Sequence, residues 1–368
     1  MDRWAKRPFR RSAGPGNLRA EGWSLGRLKY STLGYTLGSL AQEIGGRIPR
    51  LDYNDFAEAT ERVVGNVERA VAGKREGVSL AVVALLAGGH VLIEDVPGVG
   101  KTLLAKSLAR SVAGEFRRIQ FTPDLLPADV TGTNVYNQGD GRFEFWAGPV
   151  FANVVLADEI NRASPKTQSA LLEAMEEGSV TVDGVTRRLP STFGVIGTQN
   201  PVEHEGTYPL PHAELDRFMI KMSLGYPDDD AEVEMLKLAA HPVANLSPAV
   251  DLEEFTRMRA LVEEVHASEA VLRYVVSVTG ATREHEAVHL GASPRASRML
   301  LAAARARAAS SGRSYCIPDD VKALAPHVLG HRIIASRRDV SGQRNGAAAG
   351  PEDVVREILR SVPVNEAV

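Results

Sequence analysis

The residues best suited to chemistry in this 368-residue chain form a short glycine-rich segment. Residues 95–102 read DVPGVGKT, after an apolar run and before a stretch with helical spacing. Glycines let backbone N–H groups point into a concave loop that binds phosphate, and a helix N-terminus adds partial positive charge. The pattern predicts a phosphate-binding loop made of Val96, Pro97, Gly98, Val99, Gly100, Lys101, Thr102 and Leu103.

Two side chains of this loop have expected roles. Lys101 should reach the β- and γ-phosphates of ATP, and Thr102 should ligate Mg²⁺. Asp95 stands where the usual pattern opens with glycine, which a residue with a side chain can do if its backbone stays in a permitted region. The alternative is a glycine-rich turn followed by a chance Lys-Thr pair, which explains neither the strand before it nor the helix after it.

Two acids follow a second apolar run. Residues 153–157 (NVVLA) lead directly into Asp158 and Glu159. A buried strand that ends this way places Asp158 at the carboxyl edge of the sheet, where open α/β sheets bind ligands. Asp158 would hold Mg²⁺ through water, and Glu159 would orient and deprotonate the attacking water. The alternative is a pair of acids that cap a helix or lie at the surface.

Three polar residues further along the chain could assist. Asn200 follows the apolar run 193–198 and could place its amide between the attacking water and the γ-phosphate. Arg217 could act as an arginine finger on a neighbouring subunit's ATP. Arg295 begins a helix, where the dipole disfavours an arginine, and could reach the phosphates from above. The residues alone leave a turn at Asn200 and surface ion pairs at the two arginines as open alternatives.

Alternating strand and helix patterns must position these residues. Five apolar runs separated by helical stretches predict an α/β fold with a five-stranded parallel sheet covered on both faces. The predicted strands are residues 90–94, 116–121, 153–157, 193–198 and 219–224. Segments 134–145 and 179–189 place Asp-Gly between alternating runs and predict two inserted β-hairpins.

The chain divides by composition into three predicted regions. Residues 1–50 form a basic, glycine-rich and serine-rich extension without a secretory signal, predicted to be disordered; a polybasic arm that touches nucleic acid or lipid is the alternative. Residues 51–227 form the α/β nucleotide-binding core, and residues 228–368, which read as successive helices, form an α-helical lid domain.

Bulk properties limit the classes of partner. A net charge of −3 gives no global basic field for nucleic acid or an anionic membrane. The single cysteine, Cys316, excludes an internal disulfide and fits a reducing, cytoplasmic compartment. The longest apolar run, 78–87, is half of the roughly 20 residues that a membrane-spanning helix needs, so a buried helix is expected.

Four motifs together closely resemble the MoxR family of AAA+ ATPases. The resemblance extends over about residues 55–359 and leaves 1–50 unexplained. The motifs are FTPDLLP at 121–127, GPVFAN at 148–153 leading into ADEINRA at 157–163, GTQNP at 197–201, and LDRF at 215–218.

The resemblance implies a P-loop AAA+ core whose two hairpins are the helix-2 insert and the pre-sensor-1 insert. It implies the Walker A roles for Lys101 and Thr102, the Walker B roles for Asp158 and Glu159, sensor 1 for Asn200, the arginine finger for Arg217 and sensor 2 for Arg295. It further implies hexameric rings, a homo-oligomer that uses ATP and Mg²⁺ to remodel or mature client complexes. Such chaperones often act with proteins that carry a von Willebrand factor A domain.

Two other functions stay open at this point. A nucleic-acid motor or translocase is favoured by the basic end of the second hairpin, residues 186–188, and opposed by the acidic balance and the sparse aromatic residues. An ATP-gated scaffold with little turnover is opposed by the presence of Glu159, since such a protein needs no base. The leading expectation is therefore an ATP-driven chaperone.

Overall fold

A computed structural model describes residues 51–201, 207–237, 242–336 and 350–364. The predicted basic extension, 1–50, lies outside these residues. Within the four described ranges, every helix is too short or too polar to cross a lipid bilayer.

Five parallel strands form the central sheet, as the sequence predicts. Their spatial order is β2-β5-β8-β1-β9, and all four neighbouring pairs are parallel. The strands are β1 (Val91–Glu94), β2 (Phe116–Gln120), β5 (Val154–Asp158), β8 (Gly194–Gln199) and β9 (Ile220–Met222). The register aligns Gln120 with Asp158 and Glu94 with Gln199, so the polar ends of four strands meet at the carboxyl edge.

Helices cover both faces of the sheet. They are α1 (Tyr53–Glu68), α2 (Arg75–Leu86), α3 (Lys101–Ser111), α4 (Pro127–Thr131), α5 (Pro165–Glu177) and α6 (His212–Leu215). The Asp52 carboxylate caps α1 by accepting from the N–H groups of Asn54 and Asp55. Helix α2 contains residues 78–86 of the apolar run and is buried along most of its length, which confirms the prediction of a buried helix.

Two antiparallel hairpins interrupt the α/β alternation, again as predicted. Their strands are β3 (Gly132–Asn137) with β4 (Arg142–Ala147), and β6 (Ser179–Val182) with β7 (Val185–Arg188). The second hairpin turns at Asp183 and Gly184, which both have positive φ, as a tight hairpin turn requires. The first hairpin extends two residues further at each end than the alternating pattern suggests.

The two hairpins contact each other. The Asn134 amide donates to the Asp183 carboxylate at 2.6 Å. The Arg187 guanidinium lies 3.9 Å from the centre of the Phe145 ring, a cation–π distance. The inserts therefore form one connected surface.

Helices dominate the chain after β9. They are α7 (Asp229–Lys237), α8 (Leu252–Glu264), α9 (Glu269–Glu284), α10 (Pro294–Ser310), α11 (Pro318–Leu329) and α12 (Pro351–Ser361). Two short antiparallel strands, β10 (Val288–Leu290) and β11 (Ile334–Ala335), join them, so this region is not purely helical. Strands this short leave no periodic signal in the sequence. One apolar cluster includes residues from both sides of the predicted division at residue 227, such as Phe56 of α1 and Leu300 of α10. The division therefore stays a prediction.

Candidate active site

A pocket opens at the carboxyl edge of the sheet. It is a cavity of about 350 Å³, lined by Pro97, Gly98, Gly100, Lys101, Thr102, Leu103, Asp158, Glu159 and Asn200. These residues come from three segments that are distant in sequence, namely the loop after β1, the end of β5 and the end of β8. All nine residues that line this cavity are thus among the residues predicted from the sequence.

The glycine-rich loop has the backbone that its sequence requires. Gly98 has φ +89° and Gly100 has φ +96°, in the left-handed region that side chains with a Cβ rarely adopt. Helix α3 begins directly after Gly100, so its N-terminal residues line the pocket. Val96 and Val99, also predicted to bind the ligand, pack against the apolar core and do not line the cavity.

The Lys101 side chain folds back over its own loop. Its ammonium donates to the main-chain oxygen of Asp95 at 2.6 Å and to that of Val96 at 3.2 Å. The ammonium therefore lies above the loop, with carbonyl oxygens as partners.

Asp95, the departure from the usual glycine, ties the loop to the end of the sheet. One carboxylate oxygen accepts from Leu224 N at 2.7 Å, Gly225 N at 2.8 Å and the Ser223 hydroxyl at 3.0 Å, and the other accepts from Val96 N. Burial by itself would raise the pKa of Asp95, but these hydrogen bonds outweigh burial and hold the pKa below its usual value. Asp95 has no positive φ, so the backbone tolerates its side chain.

Thr198 on β8 connects the two acids of β5. Its hydroxyl donates to Asp158 Oδ1 at 2.6 Å and accepts from the Glu159 N–H at 2.9 Å. On the other side, Arg118 of β2 lies 2.6 Å from Asp158 Oδ2. Asp158 is thus held between its two neighbouring strands.

Glu159 has a left-handed backbone, with φ +56° and ψ +50°. This conformation costs a residue with a side chain about 1–2 kcal/mol and is often found at functional sites. The Glu159 carboxylate accepts from Gln120 Nε2 at 2.9 Å and from Arg162 Nη1 at 2.9 Å. The strained backbone and the two donors fix the direction of the carboxylate at the pocket.

Thr198, Arg118 and Gln120 were not among the predicted site residues. All three lie on the strands that flank β5, and their contacts depend on cross-strand register. Their sequence context is only an indirect indication of a role at the site. Thr198 lies in the GTQNP motif, and Gln120 is the last residue of its strand.

Arg217 and Arg295 lie away from this pocket. Arg217 Nε is 3.0 Å from Glu176 Oε2, and Arg295 Nη1 is 3.0 Å from Glu176 Oε1. Glu176 follows Met175, whose carbonyl oxygen is 3.1 Å from Nε2 of His90, the residue before β1. The two arginines therefore lie at the amino edge of the sheet, and Arg295 does not lie above the phosphate loop of its own chain, where it was expected.

The pocket fits a magnesium ion that is held partly by phosphate. Among the described residues, no group of three or more His, Cys, Asp or Glu side chains could bind a metal. Mg²⁺ commonly uses one or two carboxylates together with substrate phosphates and water. Thr102 and Asp158, which both line the cavity, provide one hydroxyl and one carboxylate.

Comparisons with known proteins match this architecture. The family model described as "ATPase family associated with various cellular activities (AAA)" matches residues 90–220, and "AAA lid domain" matches 280–358. The chain is similar to the crystal structure of a proposed ATPase from Cytophaga hutchinsonii, with a TM-score of 0.77 and 38% identity. That match covers 85% of this chain and 97% of the other.

Two curated relatives align over most of their length. "Uncharacterized protein YeaC" of Bacillus subtilis is 50% identical over 305 residues, 82% of this chain and 94% of the relative. "Chaperone MoxR1" of Mycobacterium tuberculosis is 43% identical over 311 residues, 82% of this chain and 81% of the relative. The residues of the pocket, the parallel sheet with its two hairpins and these similarities together show that the chain belongs to the MoxR family of AAA+ ATPases.

Proposed function

We propose that this chain hydrolyses Mg·ATP in the pocket at the carboxyl edge and uses the energy to remodel client protein complexes. The observation that carries the proposal is the convergence of Lys101, Thr102, Asp158, Glu159 and Asn200 on one cavity. Lys101 contributes a cation, Glu159 a base and Asn200 an amide, and groups of these kinds bind phosphate and position the attacking water in phosphoryl transfer.

Phosphate binding would use the loop and the helix behind it. The N–H groups at the start of α3 and the Lys101 ammonium would meet the β- and γ-phosphates. Lys101 would then exchange its carbonyl partners for phosphate oxygens, which carry more negative charge. Thr102 and Asp158 would hold Mg²⁺, which neutralises the charge that develops on the phosphates.

Hydrolysis would depend on Glu159. Its carboxylate would accept the proton of the attacking water, while the Asn200 amide would orient that water toward the γ-phosphate. Gln120 and Arg162 hold the carboxylate in a fixed direction, and Thr198 holds the backbone N–H of the same residue. These contacts hold the base in position, so that the carboxylate need not reorient before it accepts the proton.

A complete site would need a second subunit. Arg217 and Arg295 lie at the amino edge of the sheet, away from the pocket of their own chain. We propose that the chain forms a hexameric ring in which this edge faces the neighbouring pocket. The arginines would then stabilise charge on the transferring phosphoryl group. Hydrolysis would then change the contact between subunits.

The hairpins would carry this change to a client. Tyr136, Phe143 and Trp146 of the first hairpin are more than half exposed, as a surface that grips apolar segments would be. The similarity to a protein named a chaperone supports this role. We further propose a cytoplasmic setting and a partner protein with a von Willebrand factor A domain.

The nucleic-acid alternative has less support. Arg187, in the basic end of the second hairpin, stacks on Phe145 and so has a structural partner. A nucleic-acid motor would bind duplex DNA, and this binding would weaken steeply with added salt.

The direct test compares ATP hydrolysis by the wild type and by Glu159→Gln. We expect loss of a general base to lower kcat about 100- to 10,000-fold, with nucleotide still bound. Because the variant would trap ATP and client, affinity purification of this variant should recover a von Willebrand factor A protein. Normal hydrolysis by Glu159→Gln would overturn the assignment of the base.

A further inference from the structure

We propose that Glu176 is a positioning residue that holds Arg217 and Arg295 together as one two-cation edge for the ATP of the neighbouring subunit. This inference rests on the proposed ATPase function and its intersubunit site. It adds a residue that contacts no reacting atom in that scheme and acts through the two arginines.

The carboxylate of Glu176 is shared equally between the two cations. Arg217 uses Nε to bind one oxygen and Arg295 uses Nη1 to bind the other, each at 3.0 Å. Two guanidinium groups this close would repel each other, and a carboxylate between them cancels much of that repulsion. One acid therefore fixes the separation of the two arginines.

The three side chains come from three separate elements, so the contacts between them hold these elements together. Glu176 lies in the last turn of α5, Arg295 in the first turn of α10, and Arg217 in the loop before β9. An acid at a helix C-terminus and a base at a helix N-terminus are each disfavoured by the helix dipole. Their pairing compensates for both placements, and it sets the lid helix against the core.

The cluster stays accessible to a neighbouring molecule. The side chains of Glu176, Arg217 and Arg295 are 38%, 24% and 35% exposed. Incoming phosphate could therefore meet both guanidinium groups without unfolding of the edge. An exposed pair contributes little to stability, so the expected effect of losing it is on the rate of hydrolysis.

The first test replaces Glu176 by Gln, which keeps the shape and removes the charge. We expect kcat to fall about 10- to 100-fold, because misplaced arginines lose contact with the transition state. Binding of a fluorescent ATP analogue should stay within about twofold, because the phosphate loop and Lys101 are unchanged and the two arginines act on charge that develops only in the transition state. The matched control is Glu177→Gln, one residue further on and exposed, which should hydrolyse ATP as the wild type does.

A shorter acid checks that charge and reach matter together. Glu176→Asp should recover part of the lost kcat, since the carboxylate stays but its reach is shorter. A thermal melt of each variant verifies folding. Wild-type kcat in Glu176→Gln would overturn the proposal, as would a loss that Glu176→Asp does not reduce at all.

The second test mixes subunits. A Lys101→Ala chain has a defective pocket but an intact arginine edge, so it should complete the pocket of a Glu176→Gln neighbour and restore hydrolysis. Lys101→Ala mixed with Arg217→Ala is the reference. Recovery in both mixtures supports the proposal. Recovery in the reference alone overturns the role of Glu176, and recovery in neither overturns the intersubunit site itself.

Discussion

Arg332 Nε lies 2.6 Å from the Asp216 carboxylate, and the arginine side chain is 1% exposed. Arg332 also donates to the main-chain oxygens of Asp216 at 2.9 Å and Phe218 at 2.6 Å. These two residues flank Arg217, so a buried cation from the lid region fixes the loop that presents the proposed arginine finger. Burial lowers the pKa of Arg332 to about 10, which leaves it charged at neutral pH.

Replacing Arg332 by Met should therefore destabilise the fold and disturb the arginine edge. Loss of one partner of a buried ion pair typically costs about 3–5 kcal/mol, because the other charge is left behind. We expect urea unfolding to show a loss of this size, and ATP hydrolysis to fall in the remaining folded protein. Arg298→Met, at an exposed position of α10, is the control and should change stability little.

Asp95→Gly offers a test of the loop's unusual first residue. Glycine is the common residue at this position, but the substitution removes a carboxylate that accepts four hydrogen bonds. We expect a loss of at least about 2 kcal/mol in unfolding free energy, since one hydrogen bond to a charged group contributes about 1.5–3 kcal/mol net of the competing bonds to water. A variant as stable as the wild type would show that the tie to residues 223–225 is dispensable.

Thr198→Val should slow hydrolysis while Thr198→Ser should not. Valine has nearly the same shape but no hydroxyl, so Asp158 loses a donor and the Glu159 N–H loses an acceptor. Because each hydrogen bond contributes about 1 kcal/mol, we expect kcat to fall about tenfold or more. Steady-state hydrolysis by the two variants measures the effect, and equal rates would mean that the hydroxyl does not support the acids.

His90 should make stability depend on pH. Burial lowers the pKa of His90 from 6.5 to about 4, and its ring bonds Met175 O and Val195 N. Between these pH values the unfolded chain binds a proton that the folded chain does not. The stability contributed by neutral His90 is thus complete above pH 6.5 and decreases as the pH falls toward 4.

Urea titrations from pH 7.5 to 4.5 can isolate this contribution. His90→Gln keeps a donor and an acceptor but cannot titrate, so its stability should fall less with acid than that of the wild type. His289→Gln, at an exposed position of β10, should keep the wild-type dependence. Identical pH profiles for the wild type and His90→Gln would contradict the assignment.

The strands and the residues that line the pocket are predicted well because their sequence signals are local. Buried parallel strands are continuous apolar runs, so β5 was predicted with an offset of one residue at each end. Lys101, Asp158 and Asn200 each follow such a run, and the carboxyl ends of parallel strands necessarily meet at one edge. Spacing and strand order then bring these residues together.

The support of the site depends on contacts that local patterns do not contain. Asp95 bonds Leu224, which lies 129 positions along the chain, and Thr198 reaches Asp158 across a strand pair. The position of Arg295 depends on how the lid packs against α5, which no periodicity specifies. Predicting these contacts requires the tertiary arrangement itself.

Binding of a fluorescent ATP analogue to Lys101→Ala is the most direct test of the central claim, that the cavity at the carboxyl edge binds the phosphates of ATP. Loss of a charge-assisted contact worth about 1.5–3 kcal/mol predicts roughly 10- to 100-fold weaker binding in the presence of Mg²⁺. Lys106→Ala, on the same helix but outside the cavity, should bind as the wild type does. Undiminished affinity in Lys101→Ala would contradict the claim.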